Sequence, residues 1–143
     1  GIDRSNVTRG QAALLPEAPD RSARRIRDGL GGRLGVEVGV IVSDTFGRPW
    51  RRGVTDVALG SAGIRPILDL RGTTDALGRE LAVTEVGLVD ELAGAADLVM
   101  GKSAGIAAAI VRGVDADWLD VDDLDADGVV PNIVRSPADD LFR

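Results

Sequence analysis

From Asp20 to Gly35, apolar residues recur three and four positions apart, at Ala23, Ile26 and Leu30. Arg21, Arg24, Arg25 and Arg27 surround them. This spacing predicts an amphipathic helix with one apolar stripe. Asp20 is placed to cap its first turn, and Gly31-Gly32 or Gly35 to close it. Val36 to Val42 is a β-branched run with only Glu37 charged, which predicts a buried strand. Ala12 to Leu15, ended by Pro16, is a shorter strand, as are Asp56 to Leu59, Ile67 to Leu70 and Ile106 to Val111. Phe46 to Thr55, Gly60 to Gly63 and Arg71 to Leu81 read as loops or turns. Val83 to Val99 returns to helical spacing through Val86, Val89, Ala93 and Ala96, with Gly101 placed as its cap. Ser136-Pro137-Ala138-Asp139-Asp140 has the pattern of a helix start, predicting a short C-terminal helix over 136–143. The expected fold is a mixed α/β domain of the α+β type.

Seven aspartates among the thirteen residues from Asp115 to Asp127 set that segment apart. With Trp118, Leu119, Val121 and Leu124 among them, it is expected to be an acidic arm (residues 114–135) beside a core of residues 1–113. Its aspartates lack the spacing of an EF-hand and read as solvated charge. The 143 residues suffice for one domain with a real core. Aromatics make up only 3% of the chain, so the core must be aliphatic.

The net charge of −6 argues against an electrostatic nucleic-acid footprint, and no apolar run is long enough for a transmembrane helix. No charged-then-apolar leader is visible, and the absence of cysteine fits a cytoplasmic protein. There is no His, Cys or Tyr. Thiolate chemistry and a Ser-His-Asp triad cannot be built from this chain, and hard oxygen ligands point to Mg2+ or Mn2+ rather than zinc.

Within that restricted chemistry, Asp44-Thr45 stands out, expected just after a buried strand. A carboxylate and an adjacent hydroxyl are two hard ligands, and Arg48, Arg51 and Arg52 follow closely enough to hold phosphate oxygens. The plainer alternative is a turn-capping Asp with solvated arginines. Asp3 and Asn6 can face one ion or a ribose, or simply shape an Asx-turn. Met100-Gly101-Lys102-Ser103 fails as a P-loop, since Ala96 stands where its first glycine is required and a helix, not a strand, precedes it. It can still contact phosphates, or be a helix C-cap whose cation offsets the dipole.

Four segments, in order and spacing, resemble the F420 precursor:glutamate ligase (F420 gamma-glutamyl ligase) family. They are Gly1-Ile2-Asp3-Arg4-Ser5-Asn6-Val7, the Ser43 to Gly53 stretch SDTFGRPWRRG, Thr55-Asp56-Val57-Ala58-Leu59-Gly60, and Asp90-Glu91-Leu92-Ala93 leading to Leu98-Val99-Met100-Gly101. The resemblance runs to about Gly113, and SDTFGRPWR followed by TDVALG is its most specific part. It implies part of the F420 gamma-glutamyl ligase fold, an intertwined homodimer and a GTP-dependent amide ligase. The γ-phosphate of GTP would activate a carboxylate of the F420 precursor as an acyl phosphate, which the amine of L-glutamate then attacks. Mg2+ or Mn2+, with K+, would serve the site.

Carried over by motif, Asp3, Asp44 and Thr45 would hold metal. Asn6, Met100, Gly101, Lys102 and Ser103 would line the nucleotide, and Asp44 and Arg48 would be catalytic. The family has a glutamine or similar group where Lys102 stands; a cation is a poor metal ligand, so Lys102 is expected on phosphate. The resemblance also implies a preceding half with phosphate-binding loops, without which this part is expected to be inactive. Sixteen arginines against one lysine suggest GC-rich coding, similar to actinobacterial members in which a flavin-binding nitroreductase-like domain follows. Leu141-Phe142-Arg143 is where a linker to such a domain would begin. The rival readings are a non-catalytic metal- and nucleotide-binding module and a dimerisation fragment without a ligand.

Overall fold

The computed structural model describes residues 2–3 as backbone, 6–119 and 128–140. Its elements run β1 (Ile2–Asp3), β2 (Ala13–Leu14), α1 (Pro19–Leu34), β3 (Val40–Gly47), β4 (Val54–Ala62), β5 (Leu68–Asp69), β6 (Glu85–Val86), α2 (Leu88–Met100), a 3-10 turn at Ala116–Trp118 and α3 (Val129–Asn132). The strands pair antiparallel as β1–β2, β3–β4 and β5–β6, so helices combine with antiparallel strands in an α+β arrangement.

The organising unit is the β3–β4 hairpin. Its register runs Val40↔Ala62 to Val42↔Gly60, then slips by one so that Ser43 faces Ala58. Leu59 is the extra residue of this bulge. Side chains alternate across a strand, so a one-residue slip moves the rest of β4 to the other face. Gly60 and Ala58 therefore point in opposite directions. Gly60 lies against the start of α1, where a Cβ would be 2.5 Å from the Asp20 nitrogen. Ala58 packs with Leu88 and Val89 of α2, together with Ile64 and Val129. Glycine is required at position 60 because backbone, not side chain, fills the space beside it.

Both expected helices form, with different starts. Ala18 is the N-cap of α1 and makes no side-chain cap, while Gly35 closes the helix with φ 65°. Asp20 sits inside the first turn and turns outward. Its Oδ1 accepts the Ser61 N–H at 3.0 Å and the Val129 N–H at 2.9 Å; its Oδ2 accepts the Val130 N–H at 3.3 Å. One carboxylate thus ties α1 to β4 and caps α3 from across the molecule. α2 begins only at Leu88, because Glu85–Val86 is drawn into pairing with Leu68–Asp69.

Several expectations are corrected. Residues 36–39 are not part of the strand, which instead continues through the SDTFG motif. The expected 46–55 loop contracts to the turn between Gly47 and Val54, where Trp50 and Gly53 take positive φ. Gly60 to Ala62 extend β4, and the chain turns only at Gly63, φ 70°. Ile106 to Val111 forms no strand: no neighbour among the described residues supplies a ladder, and Ile110 is 80% exposed. In the expected C-terminal helix, Ser136 and Asp139 close a turn instead, with Ser136 Oγ donating to Asp139 Oδ2 at 2.7 Å. Residues 141–143, and residues 120–127 of the acidic arm, lie outside the described residues.

Candidate functional site

Three segments meet at one end of the hairpin. Alternation puts Ser43 and Thr45 on the α2 side of β3, and the register sets Thr45 opposite Asp56 of β4. The last turn of α2 brings Asp97 and Met100 to the same place. Gly101, with φ 62°, then redirects the chain so that Lys102 follows at the edge. Asn6 closes the arrangement from the N-terminal loop, its Nδ2 donating to the Lys102 carbonyl at 3.0 Å. The result is a cleft of about 170 Å3 lined by Asn6, Ser43, Asp44, Thr45, Asp56, Asp97, Met100, Gly101, Lys102, Ile106 and Ala107. A larger hollow of about 390 Å3 runs along Val7 to Ala12. Among the described residues it is lined by that loop, with Arg9 as the one ionisable group, so the described chemistry lies in the smaller cleft.

Polar groups dominate the cleft. Asp44 Oδ1 accepts the Thr45 N–H at 2.7 Å, which holds its carboxylate against the strand. Asp56 is buried, at 7% exposure, and its Oδ2 accepts the Ser43 hydroxyl at 2.8 Å. A buried carboxylate is tolerated only when hydrogen-bonded, and Ser43 supplies that bond. Asp97 also lines the cleft and is half-buried. Lys102 Nζ donates to Thr45 Oγ1 at 3.0 Å. Among the described residues, three carboxylates against one ammonium leave the cleft with a formal excess of negative charge, a setting for a hard cation.

The structure brings together Asn6, Asp44, Thr45, Met100, Gly101 and Lys102 of the residues singled out from the sequence. Asp3 is described only as backbone, paired with Ala13 in β1. Arg48 does not line the cleft; its Nη2 reaches the Arg52 carbonyl across the hairpin turn at 3.5 Å. Ser103 is exposed and outside the lining. Asp56 and Asp97 were not among the candidates. An aspartate inside an otherwise small and apolar strand was a legible sign for Asp56. Nothing in the spacing of Asp97 distinguished it from a solvated helix residue.

A divalent ion fits one part of this donor set better than the other. The Oδ2 of Asp44 accepts no described hydrogen bond, so it is available as a ligand. Thr45 Oγ1, by contrast, already faces an ammonium. Among the described residues, which leave out the Asp3 side chain, no three carboxylates converge closely enough to hold an ion by themselves.

The F420-0:gamma-glutamyl ligase family model matches residues 1–113. The chain is 46% identical to a protein of Methanopyrus kandleri named coenzyme F420:L-glutamate ligase, over 144 aligned positions covering 100% of this chain and 56% of the relative. Proteins of the same name from Methanothermobacter thermautotrophicus and Methanocaldococcus jannaschii are 46% and 40% identical, each over 100% of this chain and 55% of the relative. The chain therefore spans a little over half the length of these curated relatives.

Proposed function

This chain belongs to the F420-0:gamma-glutamyl ligase family, and we propose that it supplies the acidic, metal-holding side of an active site that ligates L-glutamate to a coenzyme F420 precursor. The observation that carries this reading is the convergence of Asp44, Thr45, Asp56 and Asp97 with Lys102 and Asn6 in one cleft. The reaction proposed is GTP-dependent. The γ-phosphoryl group passes to a carboxylate oxygen of the precursor, releasing GDP. The glutamate amine then attacks the acyl carbon, forms the amide and expels phosphate after losing a proton.

The chain's own residues divide this work. In this reading Asp44, together with Asp3, would hold Mg2+ or Mn2+, which when bound offsets phosphate charge. Asp56 and Ser43 brace the strand behind Thr45. Asn6 positions the Gly101-Lys102 segment, whose backbone and ammonium meet phosphate oxygens. Arg48 lies on the neighbouring turn and serves only if that turn closes over the cleft. The relatives' added length supplies the remainder of the site in this reading, and the described helices include none long and apolar enough to cross a membrane.

The test is Asp44→Asn in the full-length protein, assayed for GTP- and Mn2+-dependent glutamate addition to the precursor. One carboxylate oxygen is kept as an acceptor for the Thr45 N–H while the charge is removed. Activity is expected to fall at least about a hundredfold, the scale of losing a positioned electrostatic group, with the melting temperature unchanged. Retained activity removes Asp44 from the site. Mn2+ and GDP binding without turnover in the wild-type protein would instead support a binding module.

A further inference from the structure

Lys102 stands in an unusual position for a residue at the edge of a metal-holding cleft. Its ammonium donates to Thr45 Oγ1 at 3.0 Å, on the oxygen a cation at this end would share with Asp44. Its backbone is held as well: Asn6 Nδ2 binds the Lys102 carbonyl, and Gly101 sets the chain direction just past α2. The ammonium is thus presented to Thr45 by a fixed anchor. Asp44, Asp56 and Asp97 line the same cleft.

We propose that Lys102 is a tethered cation that competes with a divalent ion for the Thr45 side of the cleft and so sets the metal affinity of the site. A threonine hydroxyl has two lone pairs, so the ammonium does not block the oxygen sterically. The exclusion is electrostatic. An ion on Thr45 Oγ1 would lie roughly 2.1 Å from that oxygen, bringing it to about 4 Å from the Lys102 nitrogen while the hydrogen bond persists. Repulsion between a unit and a divalent charge at that separation, taken at the aqueous limit, weakens binding about thirtyfold. Lys102 is exposed and can swing aside, which brings the expected effect nearer tenfold. A phosphate-bearing ligand would offer the ammonium a better partner and free Thr45 for the ion.

This inference rests on the reading of Asp44 as a metal ligand, and the experiment separates the two. Mn2+ binding is measured by calorimetry on the full-length protein without nucleotide, for wild type and for the Lys102→Gln, Lys102→Met, Lys102→Arg and Asp44→Asn variants. Lys102→Gln and Lys102→Met are expected to bind Mn2+ about ten- to thirtyfold more tightly. Lys102→Arg, which keeps the charge, is expected to bind as wild type does. A change below threefold in both neutral variants overturns the inference, as does equal tightening in Lys102→Arg. Unaltered Mn2+ binding in Asp44→Asn overturns the metal reading of Asp44, whatever Lys102 does. Absence of Mn2+ binding in every variant overturns both.

Discussion

Asp20→Ala is expected to be among the most damaging single changes outside the cleft. The Asp20 carboxylate accepts three backbone N–H groups, from Ser61, Val129 and Val130. Two of these belong to residues with almost no exposure, Ser61 at 0% and Val129 at 2%. Truncation leaves both donors without an acceptor in places water does not reach. Each stranded donor costs about 1–3 kcal/mol, and the cap of α3 is lost as well. The expected destabilisation is about 3–5 kcal/mol. Asp20→Asn discriminates further: its amide oxygen can take the place of Oδ1 and keep Ser61 and Val129, while its NH2 group meets the Val130 N–H donor to donor. That variant should lose only about 1–2 kcal/mol, the scale of one hydrogen bond to a charged acceptor and some repulsion. Urea unfolding of the full-length protein gives the energies, and amide exchange at Ser61 and Val129 locates them. An Asp20→Ala variant within 1 kcal/mol of wild type would refute the reasoning. So would equal losses in Ala and Asn, which would show that charge, not acceptor geometry, carries the effect.

Two further predictions concern other parts of the fold. In β5 and β6, Asp69 and Glu85 are directly opposed like charges, and Arg71 bridges them at 2.6 and 3.3 Å. The side-chain hydrogen bond from Arg71, helped by its backbone N–H and its charge, lowers the Asp69 pKa to about 2. A depressed carboxylate pKa stabilises the fold fully above the unfolded value near 4 and ceases to do so as pH falls through about 2. Carboxyl NMR titration should find Asp69 near 2, and back in the ordinary range in Arg71→Ala. Gly60→Ala places a Cβ against the backbone of Pro19 and Asp20. Neither strand nor helix can yield cheaply, so a loss of about 3 kcal/mol is expected in the same urea assay; a neutral variant would show that α1 shifts freely on β4.

Legibility from sequence followed the range of the interaction. α1 and α2 were readable because helical spacing and the glycines at 35 and 101 are local signals, and the hairpin strands were readable as apolar or β-branched runs. Boundaries failed where a partner decides them. Glu85-Val86 has the pattern of a helix start, yet it pairs with Leu68-Asp69. Gly60-Ser61-Ala62 is turn-like in composition, yet its smallness serves the approach of α1. Ile106 to Val111 has strand composition but no ladder to join among the described residues.

For the site, the sequence alone determined the available chemistry. Without His or Cys, a cation site here must be built from oxygen donors, and the SDTFGRPWR motif marked Asp44 and Thr45. Tertiary structure decided what surrounds them. A one-residue slip beside Leu59 puts Ser43, Thr45 and Asp56 on the face of the β3–β4 hairpin that meets α2, and the end of α2 adds Asp97. The same meeting lays the Lys102 ammonium on Thr45 Oγ1. Register and helix placement arise from packing between distant segments, which no local spacing encodes. For that reason the oxygen donors were visible in the chain, while the ammonium laid against Thr45 was visible only in the fold.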